Sequence, residues 1–168
     1  DAAKKNIPFS IESFRNYLAS KMHLGLLYED LAVLTKQRDP LIKARDFFLN
    51  LVNEIEKLDF QYFLAAAHEY LARIEERLGN HIASAQQYEL AVKAHEKSLK
   101  KVQFKPLRNR IIEKIEYNKA WKLIEEAKFN HKKEDHLKAK ENYDQACEIL
   151  EALSDYEYEA IYYSSWAL

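Results

Sequence analysis

One pattern, repeated three times in register, constrains this chain more than any other feature. In the middle of the chain Ala72 stands seven residues before Gly79-Asn80, Ala83 follows four residues after the glycine, and Tyr88 nine after it. The same layout runs from Ala127 through Glu134-Asp135 to Ala139 and Tyr143, and from Ala32 through Asp39-Pro40 to Ala44 and Phe48. Leu51, Ala91 and Ala146 follow at matching places. A helical hairpin needs this order of sizes: small side chains let the two backbones approach, and the aromatic fills the wedge towards the next hairpin. Three matching units predict an all-α protein of antiparallel helical hairpins.

Breakers and caps set the boundaries, because apolar residues keep a helical spacing almost throughout. Only two glycines and three prolines interrupt 168 residues. Asp39-Pro40 pairs an N-cap with a proline at the first helical position. Gly79-Asn80 supplies a C-terminal glycine and then an N-cap. Lys105-Pro106 breaks the helix that starts near Asn80, and Ser154 with Glu157 forms a capping box. Softer breaks fall near Asp59 and from His131 to Asp135. The reading is seven helices, about 11–37, 40–57, 60–78, 81–102, 107–130, 135–152 and 155 to the end. They group into hairpin units of about 11–57, 60–102 and 107–152 with a partial unit at 155–168, all in one domain over 1–168, and the short connections make neighbours antiparallel. Beginning at Asp1 and stopping at Trp166-Ala167-Leu168 in mid-helix pattern, the chain reads as a piece of a longer one.

The layout resembles the tetratricopeptide repeat over about 25–140. It departs from that family in two respects. Its turns lie 40 and 55 residues apart where the family's repeat is ~34. The second and third units have His68, Glu75, Leu123 and Asn130 where the first-helix tryptophan and tyrosine belong. The soluble NSF attachment proteins, with their extended helical hairpins, look similar in this respect, and the last unit is reminiscent of the microtubule-interacting-and-trafficking domain.

The resemblance implies that the first helix of each hairpin lines a concave surface. That register puts Leu26, Glu29, Val33 and Lys36 there, then Glu69, Arg73, Glu76 and Arg77, then Trp121, Lys128, His131 and Lys132. Such a charged lining with an aromatic anchor suits a peptide or helix of another protein. Glu29 and Val33 occupy the places where relatives that grip chaperone carboxylates have lysine and asparagine, which disfavours that subclass.

Charge is distributed unevenly along the chain. From Lys93 to Lys114 eight basic residues, including Lys97, Lys100, Lys101, Lys105, Arg108 and Arg110, meet only Glu96 and Glu113. Residues 141–168 hold seven acidic residues and no Lys or Arg, and the net charge of −1 hides this split. Two solvated faces are one reading, and an electrostatic docking surface for an acidic partner or nucleic acid is the other. Phe104 is the lone aromatic in the basic segment, which argues against base stacking. Tyr156, Tyr158, Tyr162, Tyr163 and Trp166 crowd the final helix on more than one face, so some of them are expected to remain exposed, to bind a partner or to meet a further hairpin.

Chemistry finds little footing. None of the six histidines has a Glu three residues before it, so the Glu-x-x-His motifs of a di-iron bundle are missing. His131 and His136 bracket a turn that offers at most a weak zinc site, and no metal site is assigned. Gly25 and Gly79 lie too far apart for a phosphate loop, so no cofactor is expected. Cys147, the only cysteine, sits in the apolar series Tyr143, Ala146, Cys147, Leu150 as a core thiol, which points to a reducing compartment. No membrane span or signal core is present, and the sequence reads as that of an intracellular, cytoplasmic protein. The expectation is a non-enzymatic scaffold or adaptor that holds a partner's peptide or helix on its concave face. The alternatives are a self-associating regulatory module that uses the basic 93–114 and acidic 141–168 segments and, less favoured, nucleic-acid binding through the basic segment.

Overall fold

The computed structural model describes residues 11–153 and 156–167. Among them every regular element is helical: α1 (Ile11–Thr35), α2 (Asp39–Glu56), α3 (Gln61–Arg77), α4 (His81–Lys101), α5 (Lys105–Lys132), α6 (His136–Glu151) and α7 (Glu157–Ser164). None is long and apolar enough to cross a membrane. Each helix packs on its chain neighbours, and α1 also touches α3, so the hairpins stack in sequence order.

Two of the three repeat turns share one chemistry. At the end of α3, Gly79 adopts φ 81°, its N–H donates to Glu76 O at 2.8 Å, and the Asn80 N–H donates to Glu75 O at 2.8 Å. This is a Schellman turn, which satisfies the last helical carbonyls. The end of α5 repeats it: Glu134 at φ 63° donates to His131 O and Asp135 to Asn130 O, both at 3.0 Å. The soft break near His131–Asp135 is thus the same turn as Gly79-Asn80, with a glutamate in the glycine's place. Asp135 then caps α6, its side chain accepting from the Lys138 N–H.

Other boundaries differ in detail. Asp39 is already helical and Arg38 stands at the N-cap without a side-chain bond, so Asp39 is not the cap expected of it. Pro106 begins α5 inside its first turn, where a missing N–H leaves no bond unmade. The capping box at Ser154 and Glu157 involves Ser154, which lies outside the described residues. The last helix spans Glu157–Ser164 only.

The three repeat aromatics are core residues: Phe48, Tyr88 and Tyr143 are at most 2% exposed. Each meets an aromatic ring on the following helix. Phe48 lies 5.5 Å from Tyr70 at 31°, Tyr88 is 6.1 Å from Trp121 at 27°, and Tyr143 is 6.0 Å from Tyr163 at 13°. The wedge thus recurs at every junction, and α7 supplies the ring at the last one. Sixteen residues before each aromatic stand Ala32, Ala72 and Ala127, all buried. Twenty-three before stand Gly25, Ala65 and Ala120, also buried. Gly25 is required: a Cβ there would come within 2.5 Å of Phe48 Cε2. Four residues before the aromatics the buried set is Ala44, Ser84 and Ala139, so the small residue of the middle unit is Ser84 and not the half-buried Ala83. Ser84 satisfies its hydroxyl by donating to Ala72 O at 2.8 Å across the hairpin.

Candidate functional site

Most of the charges expected to meet a ligand instead join one first helix to the next. Glu29 on α1 is 2% exposed, and Arg73 Nη2 of α3 donates to both its oxygens at 2.8 and 2.9 Å, with Arg77 Nε at 3.1 Å. Glu69 on α3 accepts from Asn118 at 2.7 Å and Lys114 at 3.2 Å, both on α5, and lies 3.0 Å from His95 Nε2 on α4. Glu76 on α3 takes Lys128 of α5 at 2.5 Å. Glu29 is therefore closed to a partner, and Arg73, Glu69 and Lys128 are committed to interhelical pairs. A buried carboxylate must find such partners, because an unpaired charge in the interior is very costly.

Burial would raise Glu69's pKa, but the His95 ring, Lys114 and Asn118 outweigh it and hold the carboxyl below the usual carboxylate range. Glu125 goes the other way: burial and the nearby Glu76 carboxylate raise it, against the opposing pull of Lys128 and His81. Its side chain is fully buried, with Lys128 Nζ at 2.7 Å and His81 Nδ1 at 2.8 Å. Burial would lower Lys128, but Glu125 and Glu76 prevail and raise it. Its ammonium also lies 5.7 Å from the Trp121 ring centroid and 5.6 Å from that of Tyr163, within cation–π range.

Above this cluster lies a groove of about 380 Å³, lined by Glu76, His81, Lys128, His131, Lys132, Tyr143, Tyr162, Tyr163 and Trp166. Four of the twelve residues assigned to the concave face, Glu76, Lys128, His131 and Lys132, are brought together here. The others are not: Leu26 is half-buried, Val33 is exposed on α1, and Lys36 sits in the α1–α2 turn at φ 55°. Trp121 is not the exposed anchor expected. It packs among Tyr88, Tyr117 and Tyr163, and its indole N–H is buried without a hydrogen-bond partner among the described residues.

The aromatic wall comes from α7, which folds back over α5 and α6. Ala160, Tyr163 and Ala167 are buried beneath it, and burial pushes the Tyr163 hydroxyl up to about 12. Its other face and the turn after it present Tyr158, Ile161, Tyr162 and Trp166, from 51% to 87% exposed. The crowding of rings at the chain's end was legible, whereas their meeting with Lys132 and His81 depends on this fold-back. Lys132 is exposed and has no ion-pair partner among the described residues.

The remaining candidates lie elsewhere. In the basic segment Lys93 pairs with Glu89, Lys101 with Asp59 and Lys114 with Glu69, and Arg108 Nη1 donates to the carbonyls of Leu99, in α4, and Val102, its C-cap, at 2.9 and 2.8 Å. Lys97, Lys100, Lys105 and Arg110 are exposed and without ion pairs among the described residues. His131 and His136 approach edge-on at 5.0 Å. No group of three His, Cys, Asp or Glu among the described residues can hold a metal ion. Cys147 is buried, its thiol donates to Ala160 O at 3.3 Å, and burial raises its pKa. No family model, curated protein or solved structure matches this chain.

Proposed function

We propose that this is a tetratricopeptide-like scaffold or adaptor domain that holds a short segment of a partner protein in the groove between α3, α5, α6 and α7. The single observation that carries the reading is the exposed aromatic face of α7 and the turn after it, Tyr158, Ile161, Tyr162 and Trp166, which runs into a groove rimmed by Lys132 and His131. Tyr and Trp are the residues most enriched in protein interfaces, because they bring large area at little entropic cost. The groove's volume of about 380 Å³ lies within the range of clefts that hold a ligand. Its chemistry selects a partner segment with an apolar or aromatic anchor and an acidic residue beside it, the acid meeting Lys132. A buried thiol at Cys147 suits an intracellular setting.

Arg73, Trp121 and Lys128 are poor probes of this face because they hold the helices together. The test is a peptide-display selection against the folded chain, followed by titration of a recovered peptide into Tyr162→Ala/Trp166→Ala and Lys132→Glu. Each variant is expected to weaken binding by about tenfold or more, as for loss of one hot-spot contact. Full affinity in both folded variants would sink the reading.

A further inference from the structure

Helix α1 is apolar on two faces, and among the described residues only one of them is used. Leu18, Met22, Gly25 and Ala32 are buried against the rest of the fold. On the opposite side Leu24, Leu27, Leu31 and Leu34 are 46%, 62%, 45% and 80% exposed. The steps between them are three, four and three residues, the alternation of a coiled-coil seam, and Tyr17 stands one heptad before Leu24. A globular helix normally turns charged and polar residues outward. A continuous leucine row on the outside marks a surface built to be covered. Because α1 packs on α2 and α3 from the other side, the four leucines are open among the described residues, and Tyr17 at the start of the row keeps an exposed ring edge while its hydroxyl donates to Glu54 of α2 at 2.9 Å.

We infer that the leucine row of α1 pairs antiparallel with the same row of a second copy of this chain, about a two-fold axis near Gly25 and Leu26. The row is self-complementary when reversed. Turned end for end about that point, Leu24 meets Leu27 of the second copy, Leu31 meets Ser20, and Leu34 meets Tyr17, so every leucine but Leu31 gains an apolar partner. At the flanking positions the same reversal sets Asp30 beside His23 of the second copy and, by the two-fold axis, His23 beside Asp30, both contacts on one side of the seam. Both residues are exposed, and neither has an ion pair within its own chain among the described residues. A parallel pairing loses this match, because it puts Asp30 beside Thr35 and His23 beside Tyr28. This surface is separate from the α7 groove and from the basic and acidic segments, so it leaves the proposed binding face open. Being apolar, the pairing persists in high salt, where attraction between those segments would fade.

Analytical ultracentrifugation of the whole chain from about 1 µM to about 1 mM, a span from firm to barely stable association, tests the inference in low and high salt. The expected result is a monomer–dimer equilibrium insensitive to salt. Leu27→Glu/Leu31→Glu should abolish it while leaving the helical circular dichroism and melting temperature unchanged. His23→Glu and Asp30→Arg should each raise the dimer Kd several-fold, and the double variant should return it towards the parent value, since only the reversed pairing sets the two positions together. A chain monomeric at every concentration overturns the proposal, as does a dimer that survives the leucine substitutions. A dimer that needs the leucines but shows no recovery in the charge-swapped double variant overturns the antiparallel arrangement.

Discussion

Replacing Glu69 by glutamine separates a residue that holds the fold from one that holds a ligand. The carboxylate is mostly buried and takes three contacts, from Asn118 at 2.7 Å, His95 Nε2 at 3.0 Å and Lys114 at 3.2 Å. Hydrogen bonds to a charged group contribute ~1.5–3 kcal/mol each. The amide oxygen of glutamine keeps the Asn118 bond. Lys114, about a third exposed, is screened by water and counts for little. What is lost is chiefly the charged character of the His95 contact and part of the lysine pair, so Glu69→Gln should destabilise the chain by about 2–3 kcal/mol at neutral pH. Urea unfolding measures this as a lower midpoint at constant slope. The pH dependence carries a sign. Glu69's pKa in the fold lies below its ordinary 4.5, so the unfolded chain takes up the proton first as pH falls. The stabilisation is complete above the unfolded value and is lost as pH drops through the folded one. The gap between parent and variant should therefore close below about pH 4.5. A neutral-pH difference under about 0.5 kcal/mol, the scatter of ordinary surface changes, would refute the assignment of Glu69 as an interhelical clamp.

Gly25→Ala adds a methyl group 2.5 Å from Phe48 Cε2, on a ring with no exposed surface to yield into. Overpacking of ~1–3 kcal/mol should outweigh a gain of up to ~1 kcal/mol in helix propensity, lowering the melting temperature, and a rise would contradict the close approach. Glu134→Gly relieves a non-glycine residue at φ 63° in a Schellman turn and should raise stability by about 1 kcal/mol in urea unfolding. Cys147, buried and bonded to Ala160 O, should react with a thiol reagent only as fast as the chain opens, so that rapid native-state labelling would place it elsewhere. Lys97, Lys100, Lys105 and Arg110 replaced together by glutamine should leave stability within about 0.5 kcal/mol, because none of them holds an ion pair among the described residues.

The fold was legible where steric size decides the structure. Alanines and aromatics at fixed distances from a turn leave one economical arrangement, and Phe48, Tyr88 and Tyr143 occupy equivalent wedges. One slip in register, Ala83 for Ser84, came from choosing the position by residue type. A serine serves at a helix crossing once its hydroxyl finds a carbonyl, here Ala72 O. The candidate site was legible only as a list of charges. Glu29 and Arg73, 44 residues apart, or Glu76 and Lys128, 52 apart, look alike to a sequence reader whether they face water or each other. The outcome depends on how closely α1, α3 and α5 approach. The leucine row of α1 escaped for a related reason: a helix apolar on two faces has no single side that a periodic pattern can mark.

The uneven repeat length and the basic segment have a common origin. Counted back from the repeat aromatic, α3 begins 27 residues before Tyr88 and α5 begins 38 before Tyr143, an excess of eleven residues or about three turns. The hairpin turns at Gly79 and Glu134 keep their spacing to the aromatics, so the variation collects at the opposite end of the hairpins, where α4 passes into α5. Ile111 and Ile115 are buried there, so the extension remains part of the packed structure. It also carries Lys105, Arg108, Arg110 and Lys114 beside Lys97, Lys100 and Lys101 at the end of α4. Part of this charge has internal work: Arg108 closes the α4 carbonyls, Lys101 meets Asp59 and Lys114 meets Glu69. A regular repeat would lack both the extra turns and the carbonyls that Arg108 caps. The charge cluster thus follows from the added helix length, and Lys97, Lys100, Lys105 and Arg110, without ion pairs among the described residues, are left over for an acidic surface.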